Sequence, residues 1–166
     1  YDHFYTLRGL GGSSDPEFAL ATGLHPSRKK QSIRNFDPSK TKSLYQALHE
    51  VGVESYFAHN NRIGFYGRHK FYNNEPFVRA QFLQDDPESE QSFALRTIEE
   101  PVTDQSKSLY YFFNYKSHGP YQGYSQETRV LFGEKGNDLD QLDFDYMLSM
   151  YEVDQLISTI FDRQKR

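Results

Sequence analysis

The sequence predicts an α+β fold: a mostly antiparallel, aromatic-rich β-sheet, with an amphipathic helix near 38–51 and a long C-terminal helix near 140–162 packed on it. Three features carry this reading. The 166 residues include 13 Tyr and 14 Phe, an aromatic share of 16%. Such a share excludes disorder and builds the core from rings that each bury roughly 150–250 Å². Between residues 53 and 133, short segments rich in Tyr, Phe, Val and Ile alternate with turn formers. Apolar residues then recur at helical spacing in two places.

Taken in order, 3–8 alternates as a first strand. The run Gly9, Gly11, Gly12 follows, and Asp15-Pro16 opens a short helix that Gly23 would end. Residues 25–36 read as loop. Asp37-Pro38 repeats the cap-and-proline signal, Leu44, Ala47, Leu48 and Val51 fall on one helical face, and Gly52 supplies the stop. Strands are expected over 53–59, 62–67, 76–83, 92–98, 108–115 and 124–133, and their short connections favour antiparallel neighbours. In the last helix Tyr146, Met150, Val153, Ile157 and Ile160 form a stripe. Asp138, Asp140, Asp143 and Asp145 crowd its start while Arg163, Lys165 and Arg166 trail its end, which suits the helix dipole. The stripe would face the sheet, or alternatively a partner.

One domain is expected over 1–166, with a basic half at 1–80 and an acidic half at 81–166. The first carries 11 Lys and Arg against 7 Asp and Glu, the second 8 against 16. No cysteine is present, which excludes disulfides, a thiolate nucleophile and Cys-ligated zinc. No apolar stretch approaches the ~20 residues that span a bilayer. A cytoplasmic or nuclear location without membrane contact is the expectation, and Tyr1 in place of an initiating Met reads as an excised or processed segment.

The leading functional reading is a nucleic-acid-binding module, for RNA or single-stranded DNA, rather than an enzyme. Arg28, Lys29, Lys30, Arg34 and Lys42, with Arg68, would neutralise phosphates, while Tyr56, Phe65 and Tyr66 would stack on bases. A protein-interaction or homodimer module using aromatic strands or the last helix is the alternative. A third reading is a metal-independent endoribonuclease using His59, His69 and His118, all at expected strand ends or turns. No cofactor is called for. The aspartates at 138–145 lack the glycine and bidentate glutamate of a calcium loop, so no metal is assigned. The glycine run matches no phosphate-loop pattern and is read as a turn.

Four short strings, Asp2-His3, LYQAL at 44–48, RIGF at 62–65 and HGP at 118–120, are similar in order to type I-F CRISPR repeat-processing endoribonucleases. They cover well under a fifth of the chain. That family's catalytic histidine would fall on Tyr45, its arginine-rich helix has no counterpart, and no family is assigned on this basis.

Overall fold

The computed structural model describes residues 9–85, 90–99, 107–114, 116, 118–121, 123–133 and 139–164. The expected strand at 3–8, Asp138, and the basic residues Lys165 and Arg166 lie outside these. The chain divides into two compact units, one made of Tyr1–Pro87 and Val102–Tyr111, the other of Glu88–Pro101 and Phe112–Arg166.

In the first unit α1 (Ser14–Thr22) ends on Gly23 in the left-handed conformation, whose N–H caps Ala19 O. The region read as loop contains one turn of helix, α2 (Ser32–Asn35). The next helix, α3 (Leu44–Glu50), starts six residues later than the Asp37-Pro38 signal suggested. Asp37 instead closes a local turn, accepting from the Ser39 N–H and hydroxyl. The true cap is Ser43, whose hydroxyl accepts from Gln46 N while the Gln46 side chain reaches back to Ser43 N, a capping box.

Three strands follow: β1 (Val53–His59), β2 (Arg79–Phe82) and β3 (Lys107–Phe113). The expected antiparallel sheet is wrong. The strands run parallel in the order β2–β1–β3, and in the β1–β2 pair Tyr56 lies opposite Arg79 and His59 opposite Phe82. Parallel strands need long crossovers, usually helical, and three segments expected as strands are helical or turn instead, two of them within these crossovers. Residues 62–67 contain a 3-10 turn (Phe65–Gly67), which leads into α4 (His69–Tyr72). Residues 92–98 lie within α5 (Glu90–Glu99), and 124–133 hold α6 (Gln126–Phe132). β1 is the central strand and is buried on both faces from Ser55 to His59, as a covered parallel strand must be. Phe18, Ile33, Tyr45, Phe57, Phe71, Tyr72 and Phe82 make up the core, an aromatic cluster as the composition required. Phe57 is at its centre, stacked on Tyr111 at 5.1 Å and tilted on Tyr72 at 4.4 Å.

In the second unit α7 (Gln141–Gln164) has α5 and α6 as neighbours. The sheet it was expected to cover belongs to the first unit, apart from Phe112 and Phe113 at the end of β3. The face it buries carries Phe144 and Leu148, whereas the expected stripe leaves Tyr146 and Ile157 exposed. Glu152 pins α7 to the loop before α6, accepting from Ser125 N and the Thr128 hydroxyl, both at 2.6 Å, and from Lys116. Burial alone would raise this carboxyl; the hydrogen bonds from Lys116, Ser125 and Thr128 outweigh that and bring it to about 2. No helix among the described residues is long and apolar enough to cross a membrane.

Candidate active site

The glycine run read as a turn is the most constructed feature of the first unit. Asp15, fully buried, turns its carboxylate back on the loop and accepts from Gly9 N at 2.6 Å and Gly11 N at 2.9 Å. Gly11 is required by that approach, because a Cβ there would stand 2.4 Å from Asp15 Oδ1. Ser14 is buried, and its hydroxyl donates to Gly11 O at 2.8 Å. The amides of Ser14 and Asp15 donate to Gly11 O and Gly12 O. The loop is therefore closed by its own hydrogen bonds, and it delivers Ser13 to the N-cap of α1.

Ser13 is exposed, and its hydroxyl makes no capping hydrogen bond. A serine side chain at this position ordinarily accepts from the first helical turn, but here Asp15 N already donates to Gly12 O and Pro16 has no N–H, so the hydroxyl is left open. Among the described residues the amides of Gly12 and Ser13 also have no acceptor. A hydroxyl with two open N–H groups beside it, at the positive end of a nine-residue helix, suits attack on an anionic ester.

A buried ion pair holds up the floor beneath this loop. Arg68, fully buried, donates from Nε and Nη2 to Glu17 on α1, the shortest contact being 2.7 Å. Tyr72 donates to the other Glu17 oxygen at 2.6 Å. His59 Nδ1 accepts from Asn61 N at 3.0 Å, which leaves the proton on Nε2, 3.6 Å from Glu17 Oε1. Burial alone would raise the Glu17 carboxyl, but the facing His59 imidazole, the hydrogen bonds from Arg68 and the Arg68 charge hold it below its ordinary value. Burial, and then the Glu17 charge, push the Tyr72 hydroxyl well up.

Above the Arg68 guanidinium lie the Phe65 and Tyr66 rings, with centroids at 5.7 and 5.5 Å. Tyr66 sits in the left-handed region at φ 56°, a conformation that costs a non-glycine residue energy and is kept where the surroundings enforce it. Its hydroxyl lies 3.4 Å from where a Cβ on Gly12 would stand, so the ring forms one wall beside Ser13.

Against the sequence-based candidates, the placement is mixed. His59 belongs to the buried network, His69 is exposed at the start of α4, and His118 is exposed in the other unit; the described residues of the first unit join only His59 to the site. Arg68 and Tyr56 cannot take the roles given them in nucleic-acid binding. Arg68 is neutralised by Glu17 in the interior, and Tyr56 is buried and stacked on Tyr110 at 5.1 Å. Lys42 is paired with Glu50 at 2.6 Å. Arg28, Lys29, Lys30 and Arg34 are exposed, as is Phe65, while Tyr66 is half-buried. Ser13 was missed. Its available signal was the string Ser13-Ser14-Asp15-Pro16-Glu17, a helix start with two hydroxyls placed immediately behind glycines.

Divalent ions activate nucleophiles in many phosphatases. The described residues contain no group of three or more His, Asp or Glu that could hold one. Asp140 accepts from Asp143 N at the start of α7, and Asp145 accepts from Tyr124 and Gln141, so these carboxylates serve the helix.

The whole fold has counterparts. The chain is similar to the crystal structure of the lipoteichoic acid synthase LtaP from Listeria monocytogenes, with a TM-score of 0.79 and 17% identity over 98% of this chain and 42% of that one. It is also similar to a protein in the alkaline phosphatase superfamily from Vibrio parahaemolyticus, with a TM-score of 0.61 and 18% identity over 90% of this chain and 38% of that one. These likenesses show the fold, and the chain spans less than half the length of either structure. No curated protein matches it. The sulfatase family model matches residues 8–166. That match overturns the nucleic-acid-binding, protein-interaction and endoribonuclease readings and replaces the CRISPR resemblance, whose four strings it spans apart from Asp2-His3. With a family model matched over nearly the whole chain and the fold shared with both structures, the chain belongs to the sulfatase family.

Proposed function

We propose that this chain carries the nucleophile of an enzyme that cleaves or transfers sulfate or phosphate esters, and that the nucleophile is Ser13. The observation that carries this reading is the exposed Ser13 hydroxyl, left without a capping bond at the N-terminus of α1. In the reaction the Ser13 oxygen bonds to the sulfur or phosphorus of the ester as the bond to the alcohol oxygen breaks. The leaving alkoxide takes up a proton, and the Ser13 proton is lost to solvent. The acid group then rests on Ser13 until water, in a hydrolase, or a second alcohol, in a transferase, accepts it. The amides of Gly12 and Ser13 stabilise the charge on the non-bridging oxygens as the centre is attacked. Asp15, Glu17 and Arg68 touch no substrate and fix the loop and the Tyr66 wall. Sulfatase membership and the likeness to a lipoteichoic acid synthase and an alkaline phosphatase superfamily member support ester chemistry of this kind.

The test is turnover of 4-nitrophenyl sulfate and 4-nitrophenyl phosphate by the wild type and by Ser13→Ala. The expected result is release of nitrophenolate from at least one ester, reduced by at least about a thousandfold in the variant. Equal turnover by the two proteins contradicts the assignment.

A further inference from the structure

We propose that Arg34 is the specificity-determining residue of this site, selecting esters that carry a second acidic group next to the scissile one. The inference depends on the Ser13 reading and extends it to the substrate. Two arginines flank Tyr66, and their surroundings differ in the way that matters. Arg68 lies under the Tyr66 ring, but it is fully buried and its charge is neutralised by Glu17 at 2.7 Å. Arg34, at the end of α2, is exposed and has no ion pair or hydrogen bond to its guanidinium among the described residues. Arg34 alone of the two has donors to offer a ligand.

Its position is set by a missing side chain. Gly67 follows Tyr66 with φ +71°, and the Arg34 stem lies over it: from the place a Cβ would occupy, Cγ is 3.0 Å, Cβ 3.5 Å and Cδ 3.6 Å away. Tyr66, the next residue back, extends its hydroxyl to Gly12. The sequence of contacts is therefore Arg34 on Gly67, Gly67 joined to Tyr66, and Tyr66 against the residue preceding Ser13. The Arg34 stem and the Ser13 loop therefore meet opposite ends of the Tyr66-Gly67 pair. With Tyr66 between them, the guanidinium is suited to an acidic group beside the one under attack rather than to that group's own oxygens. A second set of exposed cations borders the same loop, since Ser27 O accepts from Leu10 N at 3.4 Å and Arg28, Lys29 and Lys30 follow Ser27. A guanidinium receives a phosphonate or phosphate through two parallel N–H bonds, which a scattered surface charge does not do.

The probes are methylphosphonate, with one acidic group, and methylenediphosphonate, with two joined by a single carbon and no hydrolysable ester. Both are titrated into the ¹⁵N-labelled chain while the backbone amide signals are followed. The expected result is that the Gly12 and Ser13 amides shift with either anion. The diphosphonate binds tighter by about tenfold, the contribution of one charge-assisted hydrogen-bonding group. Arg34→Ala brings that ratio near one. Arg34→Gln keeps the stem over Gly67 and shows the same loss, which separates the charge from any packing defect. Lys42→Ala, a cation lost from a pair with Glu50, keeps the ratio. A wild-type ratio near one overturns the inference. So does a ratio that survives Arg34→Gln, or one that Lys42→Ala lowers equally; in each of these cases shifts at Gly12 and Ser13 leave the Ser13 reading standing. Absence of shifts at those two amides with both anions overturns the two readings together.

Discussion

Glu17 accepts from Arg68 and Tyr72 in an interior that water does not reach. Removing one member of such a pair leaves the other charged and buried, which typically costs about 3–5 kcal/mol. Glu17→Ala is therefore expected to lower the unfolding free energy by about that amount, measured by urea denaturation. Ser13→Ala, at an exposed hydroxyl with no partner, is expected to change it by no more than about 0.5 kcal/mol. The pair also gives stability a pH dependence of defined sign. The folded Glu17 carboxyl titrates below its ordinary value of 4.5, so as pH falls past 4.5 the unfolded chain takes up a proton that the native state does not. The stability that Glu17 contributes is complete above that pH and declines below it, until the lowered native value is passed. Parallel denaturation curves at pH 7 and pH 4 should show the loss in the wild type and a smaller one in Glu17→Gln. An equal loss in both proteins would show that Glu17 is not the group responsible.

At the scale of elements, two devices outside the site allow simple tests. The Ser43 hydroxyl both caps α3 and donates to Glu75, so Ser43→Ala should cost at least about 1 kcal/mol. Glu152 gathers Lys116, Ser125 and Thr128 onto α7, and Glu152→Ala should lower the stability of the second unit by about 1–3 kcal/mol, seen as faster amide exchange in α6. What the sequence disclosed about these elements follows from where their signals reside. The helix closed by Gly23 and the stop at Gly52 were legible because a glycine at positive φ acts locally. The start of α3 was misplaced because Asp37-Pro38 and Ser43-x-x-Gln46 are both plausible caps, and only the chain's path to β1 chooses between them. The string RIGFYG at 62–67 has strand-like composition. It forms a tight turn because Arg68 must point inward to Glu17, 51 residues away, and tertiary pairing of that reach has no periodicity. The α7 stripe had the right period but indicated the less buried side, since Phe144 and Leu148 offer an equally apolar face.

Over the whole molecule, the aromatic core was read correctly from composition and the sheet incorrectly from connection lengths. Counting 62–67 and 92–98 as strands turned the two crossovers, β1 to β2 and β2 to β3, into hairpins, and with that error a parallel α/β fold became an antiparallel one. The basic half was real as a count and misleading as a site, because its charges do not act alike: Arg68 is paired with Glu17 and Lys42 with Glu50, whereas the Arg34 guanidinium, its stem over Gly67, has no partner among the described residues. The nucleophile was invisible for a related reason. Gly12-Ser13 is a turn in sequence, and it becomes a site only once Asp15 has closed the loop and left the Ser13 hydroxyl with nothing to cap. Whether this hydroxyl takes the acid group of the ester is read by acid-quenched peptide mass spectrometry after brief mixing with 4-nitrophenyl phosphate or 4-nitrophenyl sulfate. The expected result is one added phosphoryl or sulfuryl group on Ser13, absent from Ser13→Ala. A group found on another residue, or persisting in Ser13→Ala, would contradict it.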